Sequence, residues 1–451
     1  MNDLITKLKT EYEGKKVLIV GLGLQGGGVG LAKFFSKLGI KVTVTDKKTK
    51  DQLLQSINKL KYLNVRFTLG KHKLADFTLS DVIFKAPKMR WDDPLIVAAQ
   101  KKGVQIEMET SFFASLCPVP IIGITGTRGK STTTMMIYEL LKKYSGRTVH
   151  LAGNIPQSST INLLSSIHSN DLVVAELSSW QLSGFHRKKI SPHISVFTNF
   201  YPDHYDYYKT KQQYLYDKKA IYLYQKPGDF LVSNEKLRKV IEADKPNSTV
   251  YYFNYKSFPQ QHLHLKGVHN LENASAAMQV GKILNLDQQK CIDTLLHFKG
   301  LPYRQEIVAK KDGIIFVNDT TSTTPTATIK AIETFKDHPI VLILGGNSKR
   351  LPTNVLIKQL NSTNRIVLLK GSFTDEILPL LKQKYSDKIT NQFDNLEPAV
   401  KKAYQEAMKL PTTNYQLPTI ILFSPAATSF AMFNNEFHRG DEFNKIVKHL
   451  K

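Results

Sequence analysis

Cysteine is nearly absent: Cys117 and Cys291 are the only two in 451 residues. Two thiols so far apart give neither a disulfide framework nor a metal-ligand spacing, which predicts a reduced compartment. No uninterrupted apolar run reaches the roughly 18 residues of a membrane span. The opening Met1-Asn-Asp-Leu-Ile-Thr-Lys7 puts no apolar stretch behind a basic start, so no secretory leader is expected. Low-complexity tracts and internal repeats are missing too. A cytoplasmic monomer is the expectation. Acidic residues are also in short supply, 38 against 62 Lys and Arg, and the net charge is +24. Residues 1–117 hold 20 basic and 11 acidic residues (+9), and the remainder 42 and 27 (+15). With the excess so evenly spread, no block resembles a nucleic-acid arm. A lysine-rich solvated surface accounts for the charge, and the same field suits a small substrate carrying several negative charges. Neither nucleic acid nor membrane is expected as a partner.

Hydrophobic residues make up 41% of the chain, enough for sizeable buried cores. Short apolar runs at 17–20, 42–45, 82–84, 121–125, 172–176, 194–198, 314–317, 341–344, 366–369 and 420–423 alternate with stretches patterned as helices, such as 31–38 and 132–143. That alternation predicts an α/β protein with parallel sheets. Cys117-Pro-Val-Pro120 and Phe298-Lys-Gly-Leu-Pro302 read as boundaries, giving domains 1–117, 118–299 and 300–451. The aromatic-rich stretch 250–265 reads as strands at the rim of the middle domain.

Two glycine clusters follow apolar runs. In the first, Gly21-Leu-Gly23-Leu-Gln-Gly26 is followed by Asp46 at the end of the next run. The spacing is that of a dinucleotide fingerprint, in which glycines permit a tight turn and a helix N-terminus meets a diphosphate. Spacing alone leaves NAD and another nucleotide diphosphate equally open. The second is Gly123-Ile-Thr-Gly126-Thr127-Arg128-Gly129-Lys130-Ser131-Thr132. Such a loop aims backbone N–H groups at phosphate oxygens, with Lys130 neutralising phosphate charge and Ser131 offering a hydroxyl to Mg²⁺. The ordinary P-loop pattern needs its first glycine where Ile124 stands. Arg128 could touch phosphate or simply be solvated.

Glu176 closes an apolar run. Strand ends of open α/β sheets face the ligand crevice, and a carboxylate there is a natural Mg²⁺ ligand. Asp203-His204 lies just past another run and could bind a metal or move a proton. Lys218 and Lys219 sit on a helix-patterned stretch, where lysines are usually solvated.

The phosphate loop, with its misplaced first glycine, resembles that of the Mur ligase superfamily. The likeness extends, in one order along the chain, through Gly153-Asn154-Ile155, Glu176-Leu-Ser-Ser-Trp-Gln181, Asp203-His204-Tyr-Asp206, His269-Asn270-Leu-Glu-Asn273, Gly300-Leu-Pro-Tyr-Arg304, Asn318-Asp319, Gly345-Gly-Asn-Ser-Lys349 and Ser424-Pro-Ala-Ala-Thr-Ser429. The resemblance implies three domains: a Rossmann-like N-terminal domain, a central P-loop-type ATPase domain and a Rossmann-like C-terminal domain. It also implies an ATP-dependent amide ligase, and the Glu-Leu-Ser-Ser-x-Gln-Leu string points to the branch that adds D-glutamate to UDP-N-acetylmuramoyl-L-alanine through an acyl phosphate. Residues 126–132 (Gly126, Thr127, Arg128, Gly129, Lys130, Ser131, Thr132) would then hold ATP with Asn270, Asn273, Arg304 and Asp319. Ser131 and Glu176 would bind one Mg²⁺ and His204 a second, supported by a carbamylated Lys218, with Lys219 as the fallback. Gly23, Leu24, Gln25, Asp46, Asn154, Ser178 and Gln181 would hold the UDP-sugar substrate, and Lys349 and Ser429 the D-glutamate. The runner-up readings are another amide ligase of the superfamily and a nicotinamide-dependent oxidoreductase.

The chain departs from the family pattern in places. Thr321 stands where a lysine is usual, Arg128 where the loop has asparagine, Ala86-Pro-Lys88 where Ser-Pro-Gly is familiar, and Ala431 where an acid is often found. The first of these removes a cation from the neighbourhood of the amino-acid site.

Overall fold

The computed structural model describes residues 2–22, 26–155, 159–204, 207–259, 263–265, 267–410, 417–429 and 432–450. Gly23, Leu24, Gln25 and Ala431, named above, lie outside the described residues. Three sheets organise the chain. The first is formed by β1 (Lys16–Val20), β2 (Lys41–Asp46), β3 (Val65–Leu69), β4 (Val82–Phe84) and β5 (Gln105–Glu107), in the order β3-β2-β1-β4-β5. The second contains β6 (Ile121–Thr125), β7 (Val149–Gly153), β8 (Leu172–Glu176), β9 (Ile194–Phe197), β10 (Phe230–Asn234) and β11 (Thr249–Phe253), in the order β11-β10-β9-β6-β8-β7. The third contains β12 (Glu306–Lys311), β13 (Ile314–Asn318), β14 (Ile340–Gly345), β15 (Arg365–Leu369), β16 (Ile389–Phe393) and β17 (Thr419–Phe423), in the order β12-β13-β17-β14-β15-β16. Pairing is parallel throughout except between β12 and β13, which are antiparallel.

All ten apolar runs read from the sequence are strands, within a residue or so at each end. The central ones are buried along their length, as strands covered on both faces by crossover helices must be. In β14, for example, Leu342 and Leu344 enter one apolar cluster and Val341 and Ile343 the other, one on each face of the third sheet. The stretch 250–265 differs from expectation. It gives one rim strand, β11, and then a 3₁₀ turn at Tyr255–Ser257. Asn254 caps that turn through its side chain, which is why the strand stops there.

The chain divides into two compact units. One comprises residues 1–200, 212–260 and 272–295, and contains the first and second sheets. A single apolar cluster running from Leu8 to Ile241 joins them. The other comprises residues 201–211, 261–271 and 296–451, and contains the third sheet. Among the described residues no helix is long and apolar enough to cross a membrane.

Each sheet carries its sequence motifs at the C-terminal ends of its inner strands. In an open parallel sheet the loops after two strands part where the strand order reverses, which opens a crevice for a ligand. In the first sheet that place lies between β1 and β4. The two loops touch there: a methyl group at Gly21 would stand 3.2 Å from the Ala86 side chain. In the second sheet β6 runs between β8 and β9, so the phosphate loop, Glu176 and residues 198–199 emerge side by side.

Candidate active site

The phosphate loop begins as β6 ends and closes as the helix Lys130–Tyr144 begins. Gly126 and Gly129 have φ of 149° and 78°, conformations that a β-carbon would strain. Space forbids one as well, since a methyl on Gly129 would stand 2.3 Å from Asn273 Oδ1. That oxygen accepts a hydrogen bond from Thr133 Oγ (3.2 Å), on the first turn of the helix. Asn199, just past β9, clamps the loop from the other side. Its Oδ1 accepts from the Arg128 N–H (2.8 Å), its Nδ2 donates to the Arg128 carbonyl (3.0 Å), and its own carbonyl accepts from the Thr127 N–H (3.0 Å). Thr198 Oγ adds a bond to the Arg128 carbonyl at 2.6 Å. The peptide groups of residue 128 are thus held firmly whatever its side chain does.

Two ammonium groups meet the carbonyl of Gly126. Lys130 Nζ donates to it at 3.1 Å, and to Thr127 O at 3.2 Å. Lys218 Nζ donates to it at 2.7 Å. Lys218 is among the most completely buried large side chains, 1% exposed, and lies over the Tyr214 ring at 4.8 Å. A helix lysine is usually solvated, so this burial is the strongest departure from expectation in the site. The phenol of Tyr214 in turn reaches Thr127 Oγ (3.3 Å). Lys219 points elsewhere and pairs with Asp244 at 2.7 Å.

Glu176 ends β8 in register with Ile124 of β6 and Gly153 of β7. It is 4% exposed, and its Oε1 accepts from Asn154 Nδ2 at 2.9 Å. Among the described residues no three His, Cys, Asp or Glu side chains gather into a metal cage. The donor set still fits Mg²⁺, which binds through one or two protein oxygens and fills its remaining positions with phosphate and water. Ser131 stands on the first turn of the helix that the loop opens.

Ser178 and Gln181, expected at the UDP-sugar substrate, are also tied into the fold. Ser178 caps the helix Ser179–Lys188, and the two side chains form a reciprocal capping box. Gln181 Nε2 donates to Thr110 Oγ (3.0 Å), so its amide is used at both ends. Asp46 accepts from the Leu22 N–H (2.9 Å) and the Lys48 N–H (3.0 Å), bracing the first glycine turn. Close by, Lys85 is buried after β4, and burial pulls its ammonium down to about 7. It lies over the Trp91 ring, as does Arg187, while Lys88 lies over Trp180; both tryptophans of the chain are therefore cation-stacked.

The second unit carries the remaining residues at the ends of β13, β14 and β17. Asp319, just after β13, is buried. It accepts from Ser424 Oγ (2.7 Å) and the Gln305 N–H (3.2 Å), and burial pushes its carboxyl up to about 6. Arg304 opposes that rise by its charge. Lys349 Nζ donates to Thr323 Oγ (3.1 Å) and stands 3.8 Å from Asp203 Oδ1. His204 has φ of 57°, and its N–H donates to Asp203 Oδ1 (2.8 Å). Ser429 Oγ is buried with no hydrogen-bond partner among the described residues, a hydroxyl left for a ligand to satisfy. Asn270 belongs to this unit and Asn273 to the other. Tyr205 and Asp206 lie outside the described residues.

Sequence reasoning missed Asn199, Tyr214 and Arg439 here. Arg439 had a readable signal. It occupies the apolar stripe of the helix Glu436–His449 with Phe443 and Val447, four and eight residues on, where a charge is out of place.

Similarity to known proteins agrees with this geometry. The Mur ligase middle domain matches residues 124–259, and the MurD-like N-terminal domain of Mur ligases matches residues 15–107. A UDP-N-acetylmuramoylalanine–D-glutamate ligase of Roseiflexus sp. (strain RS-1) is 34% identical over 97% of this chain and 99% of its own. Its counterpart from Clostridium tetani is 32% identical over the whole of both chains. Among solved structures, the UDP-N-acetylmuramate–alanine ligase MurC of Thermotoga maritima shares the fold with a TM-score of 0.61 at 17% identity, over 97% of this chain and 100% of that one. The MurF ligase of the same organism, in complex with ADP, has a TM-score of 0.59 at 16% identity over the whole of both chains. Because identity above 30% runs the full length of its relatives, this chain belongs to the UDP-N-acetylmuramoylalanine–D-glutamate ligase family of Mur ligases.

Proposed function

We infer that this protein joins D-glutamate to UDP-N-acetylmuramoyl-L-alanine at the expense of ATP, a step of peptidoglycan precursor synthesis. The observation that carries the chemistry is the phosphate loop at the end of β6, held by Asn199 and met by Lys130 and Lys218 at one carbonyl. We assign the three expected regions their tasks: 1–117 binds the UDP moiety, 118–299 binds ATP, and 300–451 binds the amino acid.

In the first step an oxygen of the alanyl carboxylate attacks the γ-phosphorus of ATP. The bond to the β-phosphate oxygen breaks, giving ADP and an acyl phosphate. In the second step the amine of D-glutamate attacks the acyl carbon. The carbon–oxygen bond to phosphate then breaks, phosphate departs with the electron pair, the nitrogen loses its proton and an amide remains. Both steps bring anions together, so positioning and charge neutralisation dominate the barrier.

The loop N–H groups and Lys130 hold the phosphates, assisted by Asn270, Asn273, Arg304 and Asp319. Ser131 and Glu176 would hold one Mg²⁺, and His204 a second. Bound Mg²⁺ supplies charge cancellation between the reacting carboxylate and the γ-phosphate. Asn154 orients Glu176 through its 2.9 Å bond, and Ser178 with Gln181 fixes the helix beside it. Lys218 carries a carbamate in the working enzyme. The modification turns a buried cation beside Lys130 into an anion, which suits a group that must support a metal. Lys349 and Ser429 hold the D-glutamate carboxylates. The protein acts as a cytoplasmic monomer, which light scattering of the purified enzyme checks.

Phosphate release with a panel of acceptors tests the reading. Release that requires both the UDP-sugar and D-glutamate, and not L-glutamate, L-alanine or a diamino acid, is expected; release without any amino acid overturns it. For Lys218, protein equilibrated with isotope-labelled bicarbonate should show a carbamate carbon signal that the Lys218→Ala variant lacks.

A further inference from the structure

The third sheet hides an arginine that neither the motifs nor the expected chemistry uses. Arg439 lies on the helix Glu436–His449 and is 1% exposed. Its guanidinium serves two loops at once. Nε donates to Thr320 Oγ (2.8 Å) and Nη2 to the Thr320 carbonyl (2.7 Å). Nη1 and Nη2 both donate to the Ala427 carbonyl (3.2 Å each). Thr320 lies in the loop after β13 that goes on to Thr323, the partner of Lys349. Ala427 lies in the loop after β17, two residues before Ser429, whose buried hydroxyl lacks a partner among the described residues. The loops are also tied directly, by the Ala426 N–H to the Ser322 carbonyl (3.0 Å).

Among the described residues this guanidinium donates to neutral oxygens. Among the described residues no carboxylate lies within ion-pairing distance of Arg439, although buried charges are normally paired. The charge of Glu436, on the same helix, favours the cation without pairing with it. A buried cation with no carboxylate in direct contact raises the potential of whatever its neighbours enclose, because little solvent screens it. At about 9, its burial-lowered pKa leaves it cationic at neutral pH. Lys349 is the only expected ligand group here that carries positive charge. With its attacking amine in the neutral form, an amino acid with two carboxylates brings one more negative charge than Lys349 can match.

We propose that Arg439 is a positioning residue of the amino-acid site, which sets the loops 319–324 and 425–429 and biases the pocket between them towards a dicarboxylic amino acid. This rests on the reading of the second unit's strand ends as the D-glutamate site.

The test compares Arg439→Lys, which keeps the charge and loses the forked bonds, with Arg439→Gln, which loses both. Initial rates are measured with D-glutamate and with D-glutamine, in which the second charge is removed. In Arg439→Gln, KM for D-glutamate should rise about tenfold or more. KM for ATP and for the UDP-sugar should move less than about twofold. The preference for D-glutamate over D-glutamine should shrink by a similar factor. In Arg439→Lys the KM for D-glutamate should also rise, through the lost loop bonds, while the preference is retained. Equal losses for all three substrates, or a preference unchanged in Arg439→Gln, overturn the proposal. If Arg439→Gln does not fold, an unchanged D-glutamate KM in Arg439→Lys overturns it instead. Failure of the wild-type enzyme to use D-glutamate at all sinks the underlying site reading, a separate outcome.

Discussion

At residue 128 the side chain drew attention and the peptide group turned out to matter. Asn199 takes up both the N–H and the carbonyl of Arg128, so the loop is shaped through its backbone. Each such bond contributes on the order of 1 kcal/mol net. Replacing Asn199 by Ala should therefore raise the ATP KM roughly tenfold while leaving the D-glutamate KM near its original value, as initial-rate kinetics can show. The sequence displayed the asparagine but could not display its partner in the phosphate loop, 71 residues earlier. Lys218 was likewise invisible as a buried group, since its own stretch carries no apolar pattern. Asp319 yields a prediction in pH. Its folded pKa, about 6, lies above the ordinary 3.8. The folded form therefore binds the proton more tightly, and the carboxyl's contribution to stability is full below about pH 4 and falls as the pH rises through 6. Asp319→Asn should remove that decline. The melting temperature of the variant relative to wild type should rise between pH 4 and pH 7; a constant difference would contradict the assignment.

Among elements, the strands left unread in the sequence follow a rule. They are the edges: β3 and β5 of the first sheet, β7 of the second, and β12 and β16 of the third, with β11 read only as part of a longer stretch. An edge strand has one neighbour and much solvent, so it lacks the apolar run that marks an inner strand. Only β10 was missed inside a sheet, since Ser233 and Asn234 interrupt its apolar run; both are buried. Motif-bearing strands were legible because their functional loops need rigid inner strands beneath them. The start of the helix Lys130–Tyr144 gives an element-scale test. Gly129→Ala meets a left-handed backbone and a contact of 2.3 Å, a combination that should weaken ATP binding at least tenfold with helix content unchanged. Calorimetry of nucleotide binding beside circular dichroism would decide it.

For the whole molecule, charge and division matter most. ATP and the UDP-sugar are both polyanions, and the chain carries +24. Steering by that field predicts that kcat/KM for either falls several-fold from low to physiological salt, whereas kcat barely moves. A flat salt profile would mark the charge as mere solvation. The two compact units have separate cores, with the phosphate loop in one and Lys349 and Ser429 in the other. Nucleotide at about 100 times its dissociation constant adds roughly 2.7 kcal/mol to the unit that binds it. Scanning calorimetry should therefore show the unit holding the phosphate loop melting later with ATP, and the unit holding Ser429 melting later with D-glutamate. The α/β class with parallel sheets was readable from the alternation of runs. The division into units was not, because it depends on two short stretches that no composition shift announces.

Those stretches, 201–211 and 261–271, belong to the second unit yet are encoded inside the first. His204 rides on one and Asn270 on the other. No single cut in the gene therefore separates the units. A fragment ending at 295 would carry two orphaned strips, and one starting at 296 would lack them. On the ribosome the strips emerge before most of the unit they join, and they stay without it until the stretch from 296 onward follows.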